Sequence, residues 1–349
     1  MRAAVLSEYE EPLEIQDIER PSVSENGVIV DIEACGICRS DWHAWHGDMA
    51  GDMRGNVLGH EPVGTVIEAG TDVESVSEGD RVTIPFNLAD GRCPRCLNGH
   101  SNRCLNGQAL GFSPSVPGAF AEEMHVPWAD MNAIRLPDAV STVEMAGMGC
   151  RFMTSFHALA HRADLDAGDW VTVHGCGGIG LSAVNIAAAL GGNVIAVDLH
   201  TEKLSLAEDL GATASVNASK VDDVSKEIHD ITDGGSDISI DALGIAETCQ
   251  NSVASLGYRG QHIQLGLTTK DEDGVVALPT DNIVTQELEF IGSIGMPPSK
   301  YPELLRMVTQ EQVQPQELIT NTVSLDDLSD RLSAMTDYQT KGIEVITSF

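Results

Sequence analysis

Eight cysteines stand at positions 35, 38, 93, 96, 104, 150, 176 and 249 of the 349-residue chain. Disulfide scaffolds belong to short secreted chains, whereas clustered thiols in a longer chain more often bind metal or do chemistry. In Cys35-Gly36-Ile37-Cys38-Arg39-Ser40-Asp41-Trp42-His43 a Cys-x-x-Cys pair sits beside polar residues. By itself that pair fits either a redox couple or half of a zinc knuckle. Gly59-His60-Glu61 adds an imidazole, and Gly149-Cys150-Arg151 adds another thiol. Structural zinc takes four protein ligands, whereas catalytic zinc keeps three and leaves the fourth position open; a Cys2His set suits the latter.

A different chemistry is written in Gly175-Cys176-Gly177-Gly178-Ile179-Gly180. Gly-x-Gly-x-x-Gly is weak evidence alone, and here its context carries it. The apolar strand 170–174 precedes it, an Ala-rich helix over 181–190 follows, and a second strand over 193–198 ends in Asp198. Gly175 permits the tight turn, Gly177 lets the backbone approach a pyrophosphate, and Gly180 lets helix pack on strand. The pyrophosphate then meets the positive N-terminus of the helix. Asp198, 23 residues after Gly175, can accept hydrogen bonds from an adenosine ribose. A 2′-phosphate would meet like charge there, and the next residues, Leu199, His200 and Thr201, include no Arg. NAD is therefore favoured over NADP.

The elements that must position these groups fall into two patterns. The first 150 residues read as short strands broken by Gly, Pro, Asn and Asp, as in 27–32 and 64–70, which suggests a compact β-barrel-like unit. From Trp170 onward apolar strands alternate with helical segments, the signature of a parallel sheet, with later strands expected at 238–241 and 261–266. A helix near 301–308 and a strand at 343–346 complete the chain. The expected division is 1–150 with 288–349 as one domain and 151–287 as the other, an α/β protein of two domains. Its length fits that division.

Composition excludes several function classes. The chain carries 53 acidic against 20 basic residues, a net charge of −33, and only six lysines. Nucleic acid phosphates would be repelled. No run of about 18 apolar residues occurs, so no membrane span is expected. The first residues turn acidic too quickly for a secretory leader, and a cytoplasmic protein is expected. The acids are spread among apolar segments, unlike a disordered acidic tail. An acidic, Lys-poor surface on a foldable core resembles proteins from salt-loaded cytoplasms, where counterions screen self-repulsion.

Gly59-His60-Glu61-Pro62-Val63-Gly64, followed by Gly70 and Val73, matches the zinc alcohol dehydrogenase signature at each defined position. Cys38-Arg39-Ser40-Asp41, Gly149-Cys150 with Thr154, the glycine turn and Gly292-Ser293 stand at that family's spacing. The chain thus resembles the zinc-dependent medium-chain alcohol dehydrogenases along its whole length. The stretch Asp41-Trp42-His43-Ala44-Trp45-His46-Gly47-Asp48 is similar to the microbial members, and with the low Lys content to a haloarchaeal branch. The resemblance implies a GroES-like catalytic domain joined to a Rossmann domain. It implies Cys38, His60 and Cys150 as ligands of a catalytic zinc, with Cys35 a structural neighbour and Glu61 behind the metal. Asp41 would hydrogen-bond and fix His60. Arg39 would meet the cofactor pyrophosphate, Lys203 its adenosine ribose, and Thr154 the nicotinamide side. Zinc would act as a Lewis acid on an alcohol oxygen. Ser40 would accept the alcohol's proton and pass it by way of the nicotinamide ribose toward His43 and solvent, with hydride leaving to the nicotinamide. Trp45 and Trp42 would wall the substrate pocket, although a core role for Trp42 fits equally.

Cys93-Pro94-Arg95-Cys96 with Cys104 resembles the family's structural zinc lobe, which has four cysteines, and here Asp90 stands in the first position. A carboxylate oxygen can complete that tetrahedron; the alternative is a lobe held by packing alone. Three rival readings remain: a sugar or polyol dehydrogenase of the same family, a zinc-free quinone reductase of the same fold, and a zinc-stabilised nucleotide-binding module without catalysis. The quinone reductases lack the Cys/His/Cys set, and the full glycine motif argues against the bare module. The resemblance implies a small alcohol with its aldehyde or ketone as substrates and a homodimer or homotetramer.

Overall fold

The structure is a computed structural model and describes residues 1–113, 115–269, 272–336 and 340–349. Contacts divide the chain into two compact units. One comprises Met1–Met153, Gly295–Gln310 and Pro315–Phe349; the other comprises Thr154–Ile294 and Glu311–Gln314. Among the described residues no helix is long and apolar enough to cross a membrane.

The first unit is organised by the ten-residue strand Val28–Ile37, which is β-branched and apolar at its start and pairs antiparallel with Pro62–Ala69, Glu123–Val126 and Ile343–Ser348. Its pairing with Pro62–Ala69 slips between Ile29 and Val30 and again between Ile32 and Ala34. Irregularities of this kind bend a strand and raise its twist, as a curled sheet requires. The sheet continues through Arg81–Thr83 to Ile134–Arg135, and at its other end Ile319–Ser324 lies parallel to Ile343–Ser348. Val28, Val30 and Ile32 face a core shared with Leu6, Phe120 and Leu110.

The second unit holds a six-stranded, all-parallel sheet. In space its strands run Ala214–Asn217, Asn193–Asp198, Trp170–His174, Ser236–Asp241, Leu256–Gln264 and Glu289–Gly292. Numbered along the chain this is the order 3-2-1-4-5-6 of a doubly wound dinucleotide fold. Parallel strands covered on both faces read as continuous apolar runs, and Val171, Val173, Val194, Ile195, Ile238 and Ile240 are indeed buried. The strand order reverses between Trp170–His174 and Ser236–Asp241, the point at which ligands bind in such sheets. The helix expected from residue 181 begins earlier, at Gly178, with Gly177 as its N-cap. Glu289–Gly292 is the sixth strand of this sheet.

Candidate metal centre, second metal lobe and dinucleotide turn

The strand Val28–Ile37 delivers Cys38 to the N-cap of the helix Arg39–His46, His60 stands two residues before the strand Pro62–Ala69, and Cys150 opens the helix Cys150–His161. One residue knits the first two together. Asp41, fully buried, accepts a hydrogen bond from the Cys38 amide (2.9 Å) and one from the Gly59 amide (3.1 Å), and its Oδ1 lies 2.9 Å from His60 Nδ1. The carboxylate fixes Nδ1 as the protonated nitrogen, which leaves Nε2 with its lone pair. His60 Nε2 is buried and has no hydrogen-bond partner among the described residues. Buried polar atoms are rarely orphaned, and one that is calls for a missing ligand. Ligand atoms of Cys38, His60, Glu61 and Cys150 all lie within 4.8 Å of one another. A hydrogen bond from Cys150 pulls the Cys38 thiol well below its ordinary range against the cost of burial, and Cys150 is driven up in turn. The thiols of Cys38 and Cys150 and the imidazole of His60 form a donor set suited to zinc with one position open. Cys35 is buried beside this group, its thiol directed to the Gly36 carbonyl at 3.6 Å, and stands outside the cluster.

Glu61 is buried and held by Arg151, whose Nη2 and Nε donate to its two oxygens at 2.7 and 3.3 Å. Glycines make room for it: a Cβ on Gly36 would lie 2.0 Å from Glu61 Oε2, and one on Gly149 2.4 Å from its Cβ. Sequence reading assigned Arg151 no role. Phe112 and Phe86 flank the His60 ring at centroid distances of 4.8 and 6.0 Å, and they too carried no sequence signal.

On the helix Arg39–His46, Ser40 and His43 are three residues apart and share a face. Both are partly exposed, with Ser40 Oγ 3.9 Å from Cys38 Sγ. His43 Nδ1 lies 2.9 Å from Asp48 Oδ2, and His46 Nδ1 lies 3.0 Å from the other oxygen of the same carboxylate. Trp42 and Trp45 belong to the core of this unit; their indole N–H groups donate to Thr336 Oγ1 and to the Glu11 carbonyl. Arg39 lies over the Trp42 ring at 3.7 Å and donates to the Met335 carbonyl.

Asp90, Cys93, Cys96 and Cys104 form a second cluster, again with ligand atoms within 4.8 Å of one another. Cys93 Sγ lies 3.5 Å from Cys96 Sγ and 3.7 Å from Cys104 Sγ, and Asp90 Oδ1 lies 3.5 and 3.3 Å from Cys96 and Cys104. A tetrahedron with zinc–sulfur bonds of about 2.3 Å has edges of about 3.8 Å between sulfurs, slightly less to oxygen, so the four residues fit the ion. The Leu105 amide donates to Cys93 Sγ and the Asp90 amide to Cys104 Sγ, which favours thiolates. Asn106 and the amides of Arg92 and Cys93 donate to the Asp90 carboxylate and hold its carboxyl well below the usual range.

In the second unit each motif glycine has a separate physical reason. Gly175 has φ +93°, and a Cβ there would also strike Leu243 at 2.6 Å. A Cβ on Gly180 would lie 1.7 Å from the Gly175 carbonyl, whereas one on Gly177 would meet nothing within 4 Å. That open space at a helix N-cap leaves access for an anion. Asp198 accepts from the Cys176 amide (2.8 Å) and the His200 amide (2.9 Å), tying the end of the second strand to the turn. Burial and the Asp198 carboxylate push the Cys176 thiol up, and the charge of Lys203, on the helix Thr201–Asp209, opposes that rise in part. Thr154 is buried, and its Oγ1 and the Ser293 Oγ lack partners among the described residues.

Residues 24–138 match the alcohol dehydrogenase GroES-like domain profile and residues 178–310 the zinc-binding dehydrogenase profile. An alcohol dehydrogenase of Geobacillus stearothermophilus is 36% identical over 96% of this chain and 95% of its own length. An NAD-dependent alcohol dehydrogenase of Sulfurisphaera tokodaii is 32% identical, covering 99% of each chain. Among solved structures, an alcohol dehydrogenase from Thermus sp. ATN1 superimposes with a TM-score of 0.92 at 26% identity, covering 100% of both chains. With both units matched and full-length relatives above 30% identity, the chain belongs to the zinc-binding alcohol dehydrogenase family.

Proposed function

We propose that this protein catalyses the reversible oxidation of small primary or secondary alcohols to aldehydes or ketones, with Cys38, His60 and Cys150 as ligands of a catalytic zinc. The observation that carries the reading is the buried, unpartnered Nε2 of His60 beside two thiols. When bound, zinc supplies a Lewis acid for the alcohol oxygen and the nicotinamide supplies a hydride acceptor. Asp41 holds the His60 ring in one tautomer and orientation. Arg151 neutralises Glu61 close to the ligands. Ser40 takes the alcohol's proton, and His43, whose ring is anchored by Asp48, carries it toward solvent. Phe86 and Phe112 keep the surroundings of His60 apolar. Trp42 and Trp45 support the helix that bears Ser40 and His43 and border the substrate side.

Residues 175–180, Asp198, Lys203, Thr154 and Arg39 bind the dinucleotide, with NAD preferred because a 2′-phosphate would meet the Asp198 carboxylate. Asp90, Cys93, Cys96 and Cys104 hold a second, structural zinc. The acidic, Lys-poor composition supports a haloarchaeal-type branch working in a salt-rich cytoplasm, as a homodimer or homotetramer. The test is turnover of short alcohols with NAD and with NADP in molar salt, repeated on Cys38→Ser. The wild type should turn over with NAD and the variant should lose activity and zinc; an unaffected variant overturns the ligand set, and better turnover with NADP overturns the role of Asp198.

A further inference from the structure

Asp241 ends the strand Ser236–Asp241 in register with His174, the residue that leads into Gly175, and so stands at the reversal of strand order. It is fully buried, and among the described residues no Lys or Arg pairs with it. A lone buried carboxylate is expensive unless donors surround it. Here Oδ1 accepts from the amides of Leu243 (2.9 Å) and Gly244 (3.0 Å) and from Thr248 Oγ1 (2.9 Å), and Oδ2 from Gln264 Nε2 (2.8 Å). Gln264 Nε2 also donates to the Gly266 carbonyl, so its Oε1 is the end that faces His262 Nε2 at 3.0 Å and accepts from it. His262 Nδ1 then accepts from Ser252 Oγ (2.9 Å), whose oxygen accepts from Ser239 Oγ (2.8 Å). Each donor in this buried chain points toward the carboxylate, and hydrogen bonds aligned in this way polarise one another.

The chain of bonds fixes residues 242–245. Leu243 is 40% exposed yet rests on the glycine turn, where a Gly175 Cβ would strike its Cγ. Gly244 and Gly266 let the two adjoining loops interlock: a Cβ on Gly244 would lie 2.1 Å from the Leu267 carbonyl, and one on Gly266 2.2 Å from the Gly244 amide. We propose that Asp241 is a positioning residue for the dinucleotide: through the 242–245 loop, and backed by Gln264, His262 and Ser252, it presents Leu243 as an apolar wall beside the glycine turn. The inference rests on the assignment of residues 175–180 to the dinucleotide.

The test measures NADH affinity by fluorescence in molar KCl, with NAD and alcohol KM and zinc content. Asp241→Asn sets a donor against the Gln264 donor. Misplacement of a contact group by a fraction of an ångström predicts a rise of about tenfold in NADH Kd and NAD KM for Asp241→Asn. Alcohol KM and zinc content should stay unchanged. Leu243→Ala, at a partly exposed position, should weaken NADH binding to a similar degree and decides the matter if Asp241→Asn does not fold. Wild-type affinity in a folded Asp241→Asn or in Leu243→Ala overturns the proposal, as does a parallel rise in alcohol KM. Failure of the wild type to bind NADH overturns the assignment of the turn itself.

Discussion

Replacing Arg151 with Leu would leave Glu61 inside the protein without its cation. Glu61 is 2% and Arg151 5% exposed, and two hydrogen bonds join them. Breaking a buried pair from one side costs about 3–5 kcal/mol, against about 0–1 kcal/mol for a pair at the surface. Metal-free Arg151→Leu should therefore lose about 3–5 kcal/mol of the first unit's stability. Burial already pushes the Glu61 carboxyl up, while Arg151 opposes that rise. Without Arg151 the folded pKa climbs further above the unfolded one, so the loss grows as pH rises and shrinks in acid, where the neutral carboxyl needs no cation. A Glu61 oxygen lies within 4.8 Å of the other ligand atoms, so zinc offers it another cation and the loss should be smaller in the loaded protein. The assay is urea unfolding in molar KCl, with and without zinc, followed by fluorescence, with Trp42, Trp45 and Trp128 in the first unit and Trp170 replaced by Phe so that the second unit is silent. Removing both charges with Glu61→Leu/Arg151→Leu should recover much of the loss. A loss below about 1 kcal/mol in the metal-free protein would refute the pair's burial as an energetic fact. Equal losses with and without zinc would refute any communication between Glu61 and the metal.

Burial pushes His174, at the end of the first parallel strand, down to about 3. The unfolded chain takes up that proton near pH 6.5 and the folded one does not, so stability falls as pH drops from about 6.5 toward 3, by up to about 1.4 kcal/mol per unit; His174→Gln should flatten this slope in unfolding titrations. Zinc analysis of pure protein should give two ions per chain, and Asp90→Ala should retain one after dialysis against metal-free buffer while NADH binding persists; one ion in the wild type would sink the second site. With a net charge of −33, melting temperature should fall as KCl is lowered from molar to millimolar, and a flat profile would remove the case for a salt-adapted surface.

The parallel sheet was the most legible part of the chain. Trp170–His174 and Asn193–Asp198 match their expected spans, because largely apolar, β-branched runs flanked by Gly and Asp leave little choice of boundary. Glu289–Gly292 escaped for the opposite reason: it pairs on one side only and is largely exposed, so it lacks that apolar signature. Leu256–Gln264 begins five residues before its expected start, in a stretch where register shifts and Arg259 takes a positive φ. The residues proposed as metal ligands stood out only through motif spacing, whereas their supports did not. Arg151 meets Glu61 across 90 residues, and Asp48 becomes an anchor only once the helix Arg39–His46 brings two histidines to it. Trp42 and Trp45 show the reverse problem, since an aromatic residue beside a motif reads alike whether it lines a pocket or fills a core, and here both are core members with satisfied N–H groups.

The three contacts of Asp41 bear on the order of events in maturation. Because one carboxylate braces the amide of Cys38, the amide of Gly59 and the ring of His60, two proposed ligands 22 residues apart are already held together when the backbone is folded. The loss of freedom needed to gather them is met during folding and not at the moment of metal capture. A zinc site built in this way is expected to surrender its ion to a chelator and recover it without unfolding.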